Sequence, residues 1–495
     1  MGNKNDFFHV PNEYRQRLHF VRARYKKNIE NVLLYMAHEC CKIAECTCEE
    51  YNKRYFNAIK AFPGNIDKSD KALNNWRTEL PALFGFYIED KSSGRTKTSN
   101  MAYFLDENQD LTQFLKFFLL SFQFPGGHLK PNENIKLISD GVRFKPAQFL
   151  IQVLMEGNKI LSEQGKQNKE MSLSAEEATY CIFDNNLVKC RKTSPKEIAC
   201  LILYNRKNKI KYYDPTDPFI FNSKGKPRSR GDVNRYAGDL LDLMEIAGIV
   251  EKNHNYYYLR CPDEATLSIF VNDTSFFTGY EKFYGNASVN NEDISAIETD
   301  WFKYVSDSLN KEIFKTDVAS LLNEQEEISF IWDERVRDLL ANPDRNTKNI
   351  GDVGEAIIYG HEKMRLKIAG LDELAKYVRI VDNPATRPGY DIESREGDGT
   401  RDIRCIEVKT TISCRKIDLF GFHMSTHEWD VASTLNTHYC VYRLMLSRKE
   451  RVLYILRDPV SLYKKDIISA SPRDGMEITF DENQFEKNEI LVWRK

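Results

Sequence analysis

No stretch of the sequence is apolar over the roughly 18 residues that a membrane-spanning helix requires, and the first residues carry no apolar signal-peptide core. Both absences predict a cytoplasmic protein. Internal repeats and long low-complexity tracts are also missing, which argues against a solenoid or a largely disordered chain. Charge of one sign is not in excess, since the formal net charge is −2. DNA-binding proteins are often basic overall, so only a local concentration of positive charge would indicate a nucleic acid.

Cysteine pairs with the spacing of a zinc site are scarce as well. The 11 cysteines are spread over a long chain, and in a cytoplasmic protein we expect them to be reduced and mostly buried. Zinc sites usually combine two pairs of ligands, and here no convincing second pair accompanies Cys41 and Cys46. Helix packing is therefore favoured, but zinc stays open for one group. That group is His38, Cys40, Cys41, Cys46 and Cys48.

What the sequence does contain is an ordinary globular composition at a multidomain length. Hydrophobic residues make up 41% of the 495 residues and charged residues 29%, which suits about two to four domains. Helical patterns dominate residues 1–170. Residues 14–27 alternate apolar and basic side chains at helix-like spacing, and residues 111–120 predict a buried helix rich in phenylalanine. A basic helix face can follow phosphates, although a solvated structural face is commoner.

Residues 171–275 have the element order of a winged helix. Ser194 and Pro195 open one helix, with serine as N-cap and proline at the first position. Residues 232–248 predict another helix, and two short strands around residues 253–255 predict the hairpin that forms a wing. Basic residues near this unit suit DNA-groove binding, with protein contacts as the alternative. The predicted DNA contacts are Arg22, Arg24, Lys26, Lys224, Lys226, Arg228, Arg230 and Arg235.

The last 150 residues alternate helices and strands, with strands predicted at residues 378–381, 403–410, 439–444 and 452–456. They also carry charged residues typical of a hydrolase. Asp391 precedes Glu407 by 16 residues, and Glu407 shares an apolar strand with Lys409. Side chains two apart in a strand point to the same side. Carboxylates can bind Mg²⁺, which lowers the pKa of bound water and acts as a Lewis acid, while a lysine stabilises charge on a phosphate. The pattern predicts metal-assisted phosphodiester hydrolysis, with an exposed strand pair as the structural alternative.

Two further groups complete the predicted Mg²⁺ site. The carbonyl oxygen of Val408 lies between the acid and the lysine, and Glu355 lies on a helix predicted over residues 351–369. Asp352 is the less favoured alternative to Glu355. The predicted catalytic residues are Asp391, Glu407, Lys409 and Glu355. The predicted metal ligands are Asp391, Glu407, Val408 and Glu355.

These residues belong to a pattern that resembles the NO VEIN-type C-terminal nuclease domain of the PD-(D/E)XK superfamily. The motifs that carry the resemblance are Gly351 to Glu355, Gly389-Tyr390-Asp391, Ile406-Glu407-Val408-Lys409, Glu428 and Tyr442-Arg443. The resemblance implies metal binding and catalysis by Glu355, Asp391, Glu407 and Lys409. Tyr390 stands where the superfamily name has proline, which is a common departure.

The N-terminal half is similar to the AlwI-like restriction endonucleases. Residues 76–85 and residues 114–127, with the run Phe-Gln-Phe-Pro-Gly-Gly, carry this resemblance. It implies helical and winged-helix recognition modules before a C-terminal nuclease. It also implies recognition of a short asymmetric site with cleavage nearby, and in some members cleavage of only one strand.

Together the patterns and resemblances predict a multidomain α+β protein whose helical and winged-helix N-terminal region recognises DNA. The predicted division is a helical DNA-recognition domain (1–170), a winged-helix DNA-binding domain (171–275), a helical linker (276–345) and an α/β restriction-endonuclease-like PD-(D/E)XK nuclease domain (346–495). The predicted function is Mg²⁺-dependent, sequence-specific cleavage of DNA in a bacterial restriction-modification system for phage defence. The type II-like enzyme would be of the ordinary, IIS or modification-dependent kind.

The predicted partners follow from this function. Double-stranded DNA is the substrate, and because one site cuts one strand, double-strand cleavage requires a homodimer, a second nuclease subunit or sequential nicks. A cognate methyltransferase would protect the host DNA. Two other functions stay open: a DNA-binding regulator with a non-catalytic nuclease-like scaffold, and a structure-specific repair or RNA nuclease.

Overall fold

A computed structural model describes most of the chain. The described residues are 7–18, 29–62, 65, 69–108, 110–166, 169–261, 264–306, 350–381, 388–398, 400–413, 421–447, 451–472 and 475–491. They form two compact units, one from those between 1–106 and 112–315 and the other from those between 107–111 and 316–495. Arg22, Arg24 and Lys26, predicted to contact DNA, lie outside the described residues.

Helices make up most of the N-terminal part. Those between residues 29 and 306 are α1 (Ile29–Cys41), α2 (Cys48–Ala61), α3 (Asp70–Phe84), α4 (Asn100–Asn108), α5 (Leu111–Ser121), α6 (Pro131–Ser139), α7 (Pro146–Glu163), α8 (Ala175–Ala178), α9 (Asn186–Lys189), α10 (Pro195–Lys207), α11 (Arg230–Ile246), α12 (Glu264–Asn272), α13 (Asn291–Ala296) and α14 (Glu298–Ser306). No helix among the described residues of the whole chain combines the length and apolar character needed to cross a bilayer.

Two small antiparallel sheets accompany these helices. The first has the order β1-β3-β2, formed by β1 (Cys46–Thr47), β2 (Tyr87–Asp90) and β3 (Arg95–Thr98). The second has the order β4-β6-β5, formed by β4 (Ser172–Ser174), β5 (Val250–Asn253) and β6 (Tyr256–Leu259).

Local sequence signals fix much of this part. The helix predicted at 111–120 is confirmed as α5, with Phe114 and Phe118 buried in the core. The helix predicted across residues 14–27 is wrong where it can be checked, because residues 15–18 are not helical. Arg15 instead forms a bridge with Asn185, and the Gln16 N–H donates to the Asp184 carbonyl oxygen at 3.1 Å. Long-range pairing thus overrides the local helical spacing.

The helices and hairpin predicted between residues 171 and 275 are confirmed. Ser174 caps α8 and Ser194 caps α10, and in each case the glutamate three residues later completes a capping box. The helix α11 follows, and then β5 and β6 pair around His254, whose φ is 55°. The chain order is therefore a strand, helices and a terminal hairpin that pairs with the first strand.

Residues 276–306, expected to belong to a linker, are packed into the N-terminal unit. Trp301 is 1% exposed, and its indole N–H donates to the Ala82 carbonyl oxygen at 2.9 Å. Trp301 shares a buried cluster with Phe277, Tyr280 and Ile138. This aromatic packing makes the first half of the expected linker a part of the core. The second half lies outside the described residues.

The C-terminal unit combines helices and strands, as predicted. Its helices are α15 (Ile350–Ile368), α16 (Asp372–Ala375), α17 (Thr426–Leu435) and α18 (Pro459–Lys464). Its strands are β7 (Arg379–Ile380), β8 (Ile392–Arg395), β9 (Ile403–Ser413), β10 (Gly421–Ser425), β11 (Tyr439–Ser447), β12 (Arg451–Arg457), β13 (Ile468–Pro472) and β14 (Gly475–Phe480).

The main sheet of this unit has the order β12-β11-β9-β8-β7. Strands β9 and β11 are parallel, and the chain passes between them through β10 and α17; the other pairs are antiparallel. The strands predicted at 378–381, 403–410, 439–444 and 452–456 are confirmed, whereas the small antiparallel sheet β10-β14-β13 was not anticipated.

One face of β9 packs against α15. Ile406 and Val408 share a buried cluster with Val353 and Ile357 of that helix. A Cβ atom on Gly354 would lie 1.8 Å from the Thr410 Oγ1 atom, so the glycine is what allows the helix to approach the strand. The side chains of β9 that alternate with Ile406, Val408 and Thr410 must therefore point to the opposite face of the sheet.

Candidate active site and nucleic-acid interface

The face of β9 opposite α15 carries Glu407 and Lys409. Because Ile406 and Val408 occupy the helix-covered face, strand alternation places the acid and the lysine together on the other one. The Lys409 Nζ atom lies 2.7 Å from the Glu407 Oε1 atom. Both side chains are largely withdrawn from solvent, with exposed fractions of 20% and 7%. This is a buried ion pair in the middle of the sheet.

A second acid reaches the same lysine from α17. The Glu428 Oε2 atom lies 2.9 Å from the Lys409 Nζ atom and also accepts a hydrogen bond from the Ser425 N–H at 2.9 Å. Ser425 and Glu428 form the capping box of α17. Glu428 belongs to the motifs that resemble the NO VEIN-type domain, but it is not among the predicted site residues. Its signal was the Ser-x-x-Glu pattern immediately after a strand, which fixes where the helix begins.

Asp391 joins these residues from the start of β8. Its N–H donates to the Ile406 carbonyl oxygen at 2.9 Å, and its Oδ2 atom accepts from the Val408 N–H at 2.7 Å. The preceding turn is held by Tyr439, whose hydroxyl donates to the Gly389 carbonyl oxygen at 2.9 Å. Backbone contacts therefore fix the Asp391 carboxylate beside the strand that carries Glu407.

The electrostatics of this acid cluster, defined as Asp391, Glu407, Glu428 and Lys409, are dominated by burial. Burial raises the pKa of Asp391 and raises the pKa of Glu407 well above its ordinary value. Burial opposes ionisation of Glu428 as well, but nearby Lys409 and the Ser425 N–H bring its pKa below the ordinary value. Burial also disfavours the charged lysine, yet Glu407 and Glu428 raise the pKa of Lys409. Three carboxyl groups thus surround one ammonium, an arrangement that favours an added cation.

Arg443 supports the same strand from β11. It is fully buried, and its two Nη atoms donate to the Lys409 carbonyl oxygen at 3.0 Å and to the Thr411 Oγ1 atom at 2.8 Å. Arg443 is part of the Tyr442-Arg443 motif in the sequence and is not among the predicted site residues. Its contacts make it a support for the backbone on either side of Thr410.

Glu355 lies on a helix, whereas the other predicted ligands lie on or directly before strands β8 and β9. It lies on α15, next to Gly354, and this helix covers the face of β9 that carries Ile406 and Val408. Its place in a metal shell stays a prediction, as does ligation by the Val408 carbonyl. Among the described residues no group of three or more His, Cys, Asp or Glu side chains is already arranged to hold a metal ion. In the acid cluster, Lys409 lies between Glu407 and Glu428.

The histidine and cysteines considered for zinc have other contacts. His38 Nδ1 lies 2.7 Å from the Asp106 Oδ1 atom. Cys40 is fully buried, and burial raises the pKa of its thiol. Within the described part of the chain these side chains form no group of three or more that could hold a metal ion.

The basic residues predicted to contact DNA have unequal environments. Lys224 and Lys226 are exposed on a turn in which the Asn222 Oδ1 atom accepts from both of their N–H groups, at 2.8 and 3.2 Å. Arg230 forms a bidentate ion pair with Glu176. Two others face a cavity of about 300 Å³, and that cavity is lined by Arg17, Asn222, Pro227, Arg228, Ser229, Asp232, Arg235 and Tyr236.

Comparison with known families bears on both units. Residues 8–302, more than half of the chain, match the family described as "Restriction endonuclease BpuJI - N terminal". The chain belongs to this BpuJI family. Residues 354–456 match the family described as "Protein NO VEIN, C-terminal", which agrees with the resemblance seen in the sequence. The AlwI-like and PD-(D/E)XK assignments stay predictions. No curated protein matches the sequence.

A solved structure is similar to the BpuJI-family part of the chain. It is the crystal structure of pyrene- and phenanthrene-modified DNA in complex with the BpuJ1 endonuclease binding domain. The identity is 21%, the match covers 59% of this chain and 98% of that chain, and the TM-score is 0.48.

Proposed function

We propose that this protein is a Mg²⁺-dependent DNA endonuclease of a bacterial restriction system. The observation that carries the proposal is the acid cluster, in which the ammonium of Lys409 lies 2.7 Å from Glu407 and 2.9 Å from Glu428 on the buried face of one strand. Membership of the BpuJI restriction endonuclease family supports the cellular role. The C-terminal nuclease would then be of the PD-(D/E)XK kind.

The donor set suits Mg²⁺. Asp391 and Glu407 offer carboxylate oxygens, with Glu355 and the Val408 carbonyl as further ligands, and hard oxygen donors are what this ion prefers. The excess of buried carboxyl groups over ammonium groups also favours a bound cation. When bound, Mg²⁺ supplies a Lewis acid and a more acidic water.

Lys409 acts as a fixed positive charge in this mechanism. Glu407 and Glu428 raise the pKa of Lys409 despite its burial, so the side chain stays protonated and is a poor general base. A protonated ammonium on this face stabilises the charge that develops on a phosphate and orients the attacking water. Glu428, held by the cap of α17, positions the ammonium.

The N-terminal part would bind duplex DNA. Its strand, helices and hairpin follow the order of a winged helix, with α11 in the place of the recognition helix. We propose that Lys224, Lys226, Arg228 and Arg235 contribute to this binding. Double-strand cleavage would require a homodimer, a second nuclease subunit or sequential nicks, and a methyltransferase would protect the host chromosome in the cytoplasm.

Cleavage of plasmid and genomic DNA tests this proposal. Methylated and unmethylated DNA are incubated with Mg²⁺ or EDTA, and the ends are sequenced. We expect Mg²⁺-dependent cleavage at a fixed offset from one motif, with Lys409→Ala at least about 100-fold slower. The matched control is Lys376→Ala, which removes an exposed lysine of the same unit. Wild-type protein as inert as Lys409→Ala on duplex DNA, branched DNA and RNA would instead favour a non-catalytic scaffold.

A further inference from the structure

The cavity of about 300 Å³ lies at the beginning of α11, shortly after the turn that carries Lys224 and Lys226. Its walls carry the guanidinium groups of Arg17, Arg228 and Arg235 and a single carboxylate, that of Asp232. Positive charge therefore exceeds negative charge in a concave, polar space. Arg17 belongs to the basic segment 14–27 but is not among the predicted DNA contacts, and it lies about two hundred residues before the other two arginines in the chain.

The one carboxylate is already engaged. Asp232 is paired with Arg235, and its Oδ2 atom accepts from the Ser229 hydroxyl at 2.9 Å. Arg17 donates instead to the carbonyl oxygens of Asp232 and Val233, at 2.9 and 3.3 Å. These carbonyl contacts hold Arg17 in place, and the nearby Asp184 carboxylate offsets part of its charge.

Arg228 is placed in a similar way. Its Nη1 atom donates to the Phe221 carbonyl oxygen at 2.9 Å, and its own carbonyl oxygen accepts from the Tyr213 hydroxyl at 2.9 Å. At Arg17, burial lowers the pKa, the Asp184 carboxylate raises it, and the Arg228 guanidinium lowers it again, so the two arginines repel each other. An anion between them would relieve that repulsion.

The peptide dipoles of α11 add to the positive potential. The helix has 17 residues and begins directly after Ser229, so its first amide groups lie at the mouth of the cavity. The exposed lysines at 224 and 226 lie on the turn that leads into it. The positive surface thus continues from the cavity along the chain.

We propose that this cavity binds one backbone phosphate of duplex DNA. The proposal rests on the DNA-binding function proposed above and assigns Arg17, Arg228 and Arg235 to the phosphate rather than to a base. Planar guanidinium groups bind phosphate oxygens in pairs, and contacts of this kind fix the register of a helix on DNA without reading sequence. The cavity would set where α11 enters the groove.

The salt dependence of DNA binding tests the assignment. The full chain is titrated with a duplex of about 30 base pairs in EDTA, which prevents cleavage, between 50 and 200 mM salt. Each phosphate contact contributes roughly 0.9 to the slope of log Kd against log salt. We expect Arg228→Gln combined with Arg235→Gln to reduce the slope by about 0.9, equally for unrelated sequences. Arg54→Gln, at an exposed ion pair on α2, is the control and should leave the slope unchanged.

Two further measurements guard the result. Arg228→Lys keeps the positive charge but loses the planar guanidinium group. We expect this variant to retain most of the slope of log Kd against log salt. Melting is also compared in inorganic phosphate and in chloride at equal ionic strength, to separate a site for the free ion from a site for DNA.

Each outcome discriminates. If the folded double variant binds DNA with the affinity and the salt slope of the wild type, the phosphate assignment is overturned but the DNA-binding function is not. Stabilisation by inorganic phosphate without any change in DNA binding has the same consequence. Wild-type protein that binds no duplex at any salt concentration would overturn this proposal and the DNA-binding function together.

Discussion

The two candidate sites differ in the sign of their excess charge and in how far their side chains are buried. In the cavity at α11, three arginines outnumber the one carboxylate, which pairs with Arg235, while Arg17 and Arg228 bond to neutral carbonyl oxygens. In the acid cluster, buried carboxyl groups outnumber the one lysine. The first arrangement favours an anion and the second a cation. The near-zero net charge of the chain therefore conceals two sites of opposite sign, as a separate binding region and metal-dependent site would require.

The largest effect is expected from removing charge in the acid cluster. Glu407→Gln keeps the shape of the side chain but removes a carboxylate proposed to hold Mg²⁺, so we expect single-turnover cleavage to slow by about 10²–10³-fold. DNA affinity measured in EDTA should stay unchanged, because the residues proposed to bind DNA belong to the other compact unit. Glu373→Gln, at an 83% exposed side chain of the same unit, is the control. Equal loss of binding and cleavage would contradict the division of labour between the two sites.

The next effect concerns a histidine of the N-terminal unit whose ring nitrogens are buried. His128 lies against the rings of Phe122 and Phe124, and among the described residues neither of its ring nitrogens has a hydrogen-bond partner. Burial lowers the pKa of His128 to about 3, so the folded state holds it neutral. The unfolded state takes up a proton below pH about 6.5, and stability present above that pH is lost as the pH falls towards 3.

Urea unfolding at several pH values measures this loss. At about 1.4 kcal/mol for each pKa unit, the maximum is roughly 4–5 kcal/mol. His128→Leu should remove the dependence and be more stable than the wild type at pH 5. His438→Leu, at an exposed position, should follow the wild type. Parallel curves for wild type and His128→Leu would refute a neutral buried histidine.

A smaller effect compares a glycine in each unit. In Gly354→Ala, the new Cβ would meet the Thr410 Oγ1 atom at 1.8 Å, so α15 must shift from β9. We expect a loss of about 1–3 kcal/mol in the free energy of unfolding. Gly231→Ala, in the first turn of α11, meets nothing within 4 Å and should be neutral or stabilising by up to about 1 kcal/mol. Calorimetry on both variants makes the comparison, and equal melting temperatures would show that the helix does not depend on this close approach.

The smallest effect is expected at Arg230, which is paired with Glu176 and is not among the residues that line the cavity. Arg230 is 67% exposed and engaged by Glu176, so Arg230→Gln should change the free energy of unfolding by less than about 1 kcal/mol. Its salt slope for DNA binding should change less than that of Arg228→Gln, because the Arg230 charge is already compensated. A larger change for Arg230 would move the phosphate contact away from the cavity.

Several elements were predictable because their signals are local. A serine N-cap followed by proline predicted the beginning of α10, and a turn between two short apolar runs predicted the hairpin around His254. Alternation along β9 was enough to put Glu407 and Lys409 on the same face. Residues 15–18 show the limit of such reasoning, since their helical spacing gave way to pairing with residues 184 and 185.

The sequence by itself determined which residue types could act and where the main elements lie, because caps, turns and strand alternation depend on neighbours along the chain. Only the tertiary structure decided that Glu428 shares Lys409 with Glu407, and that Arg17 meets Arg228 and Arg235. It also decided that Trp301 packs on Ala82, which made the first half of the expected linker part of the core. These contacts join parts of the chain that are distant in sequence. They result from tertiary packing, and no local sequence pattern predicts them.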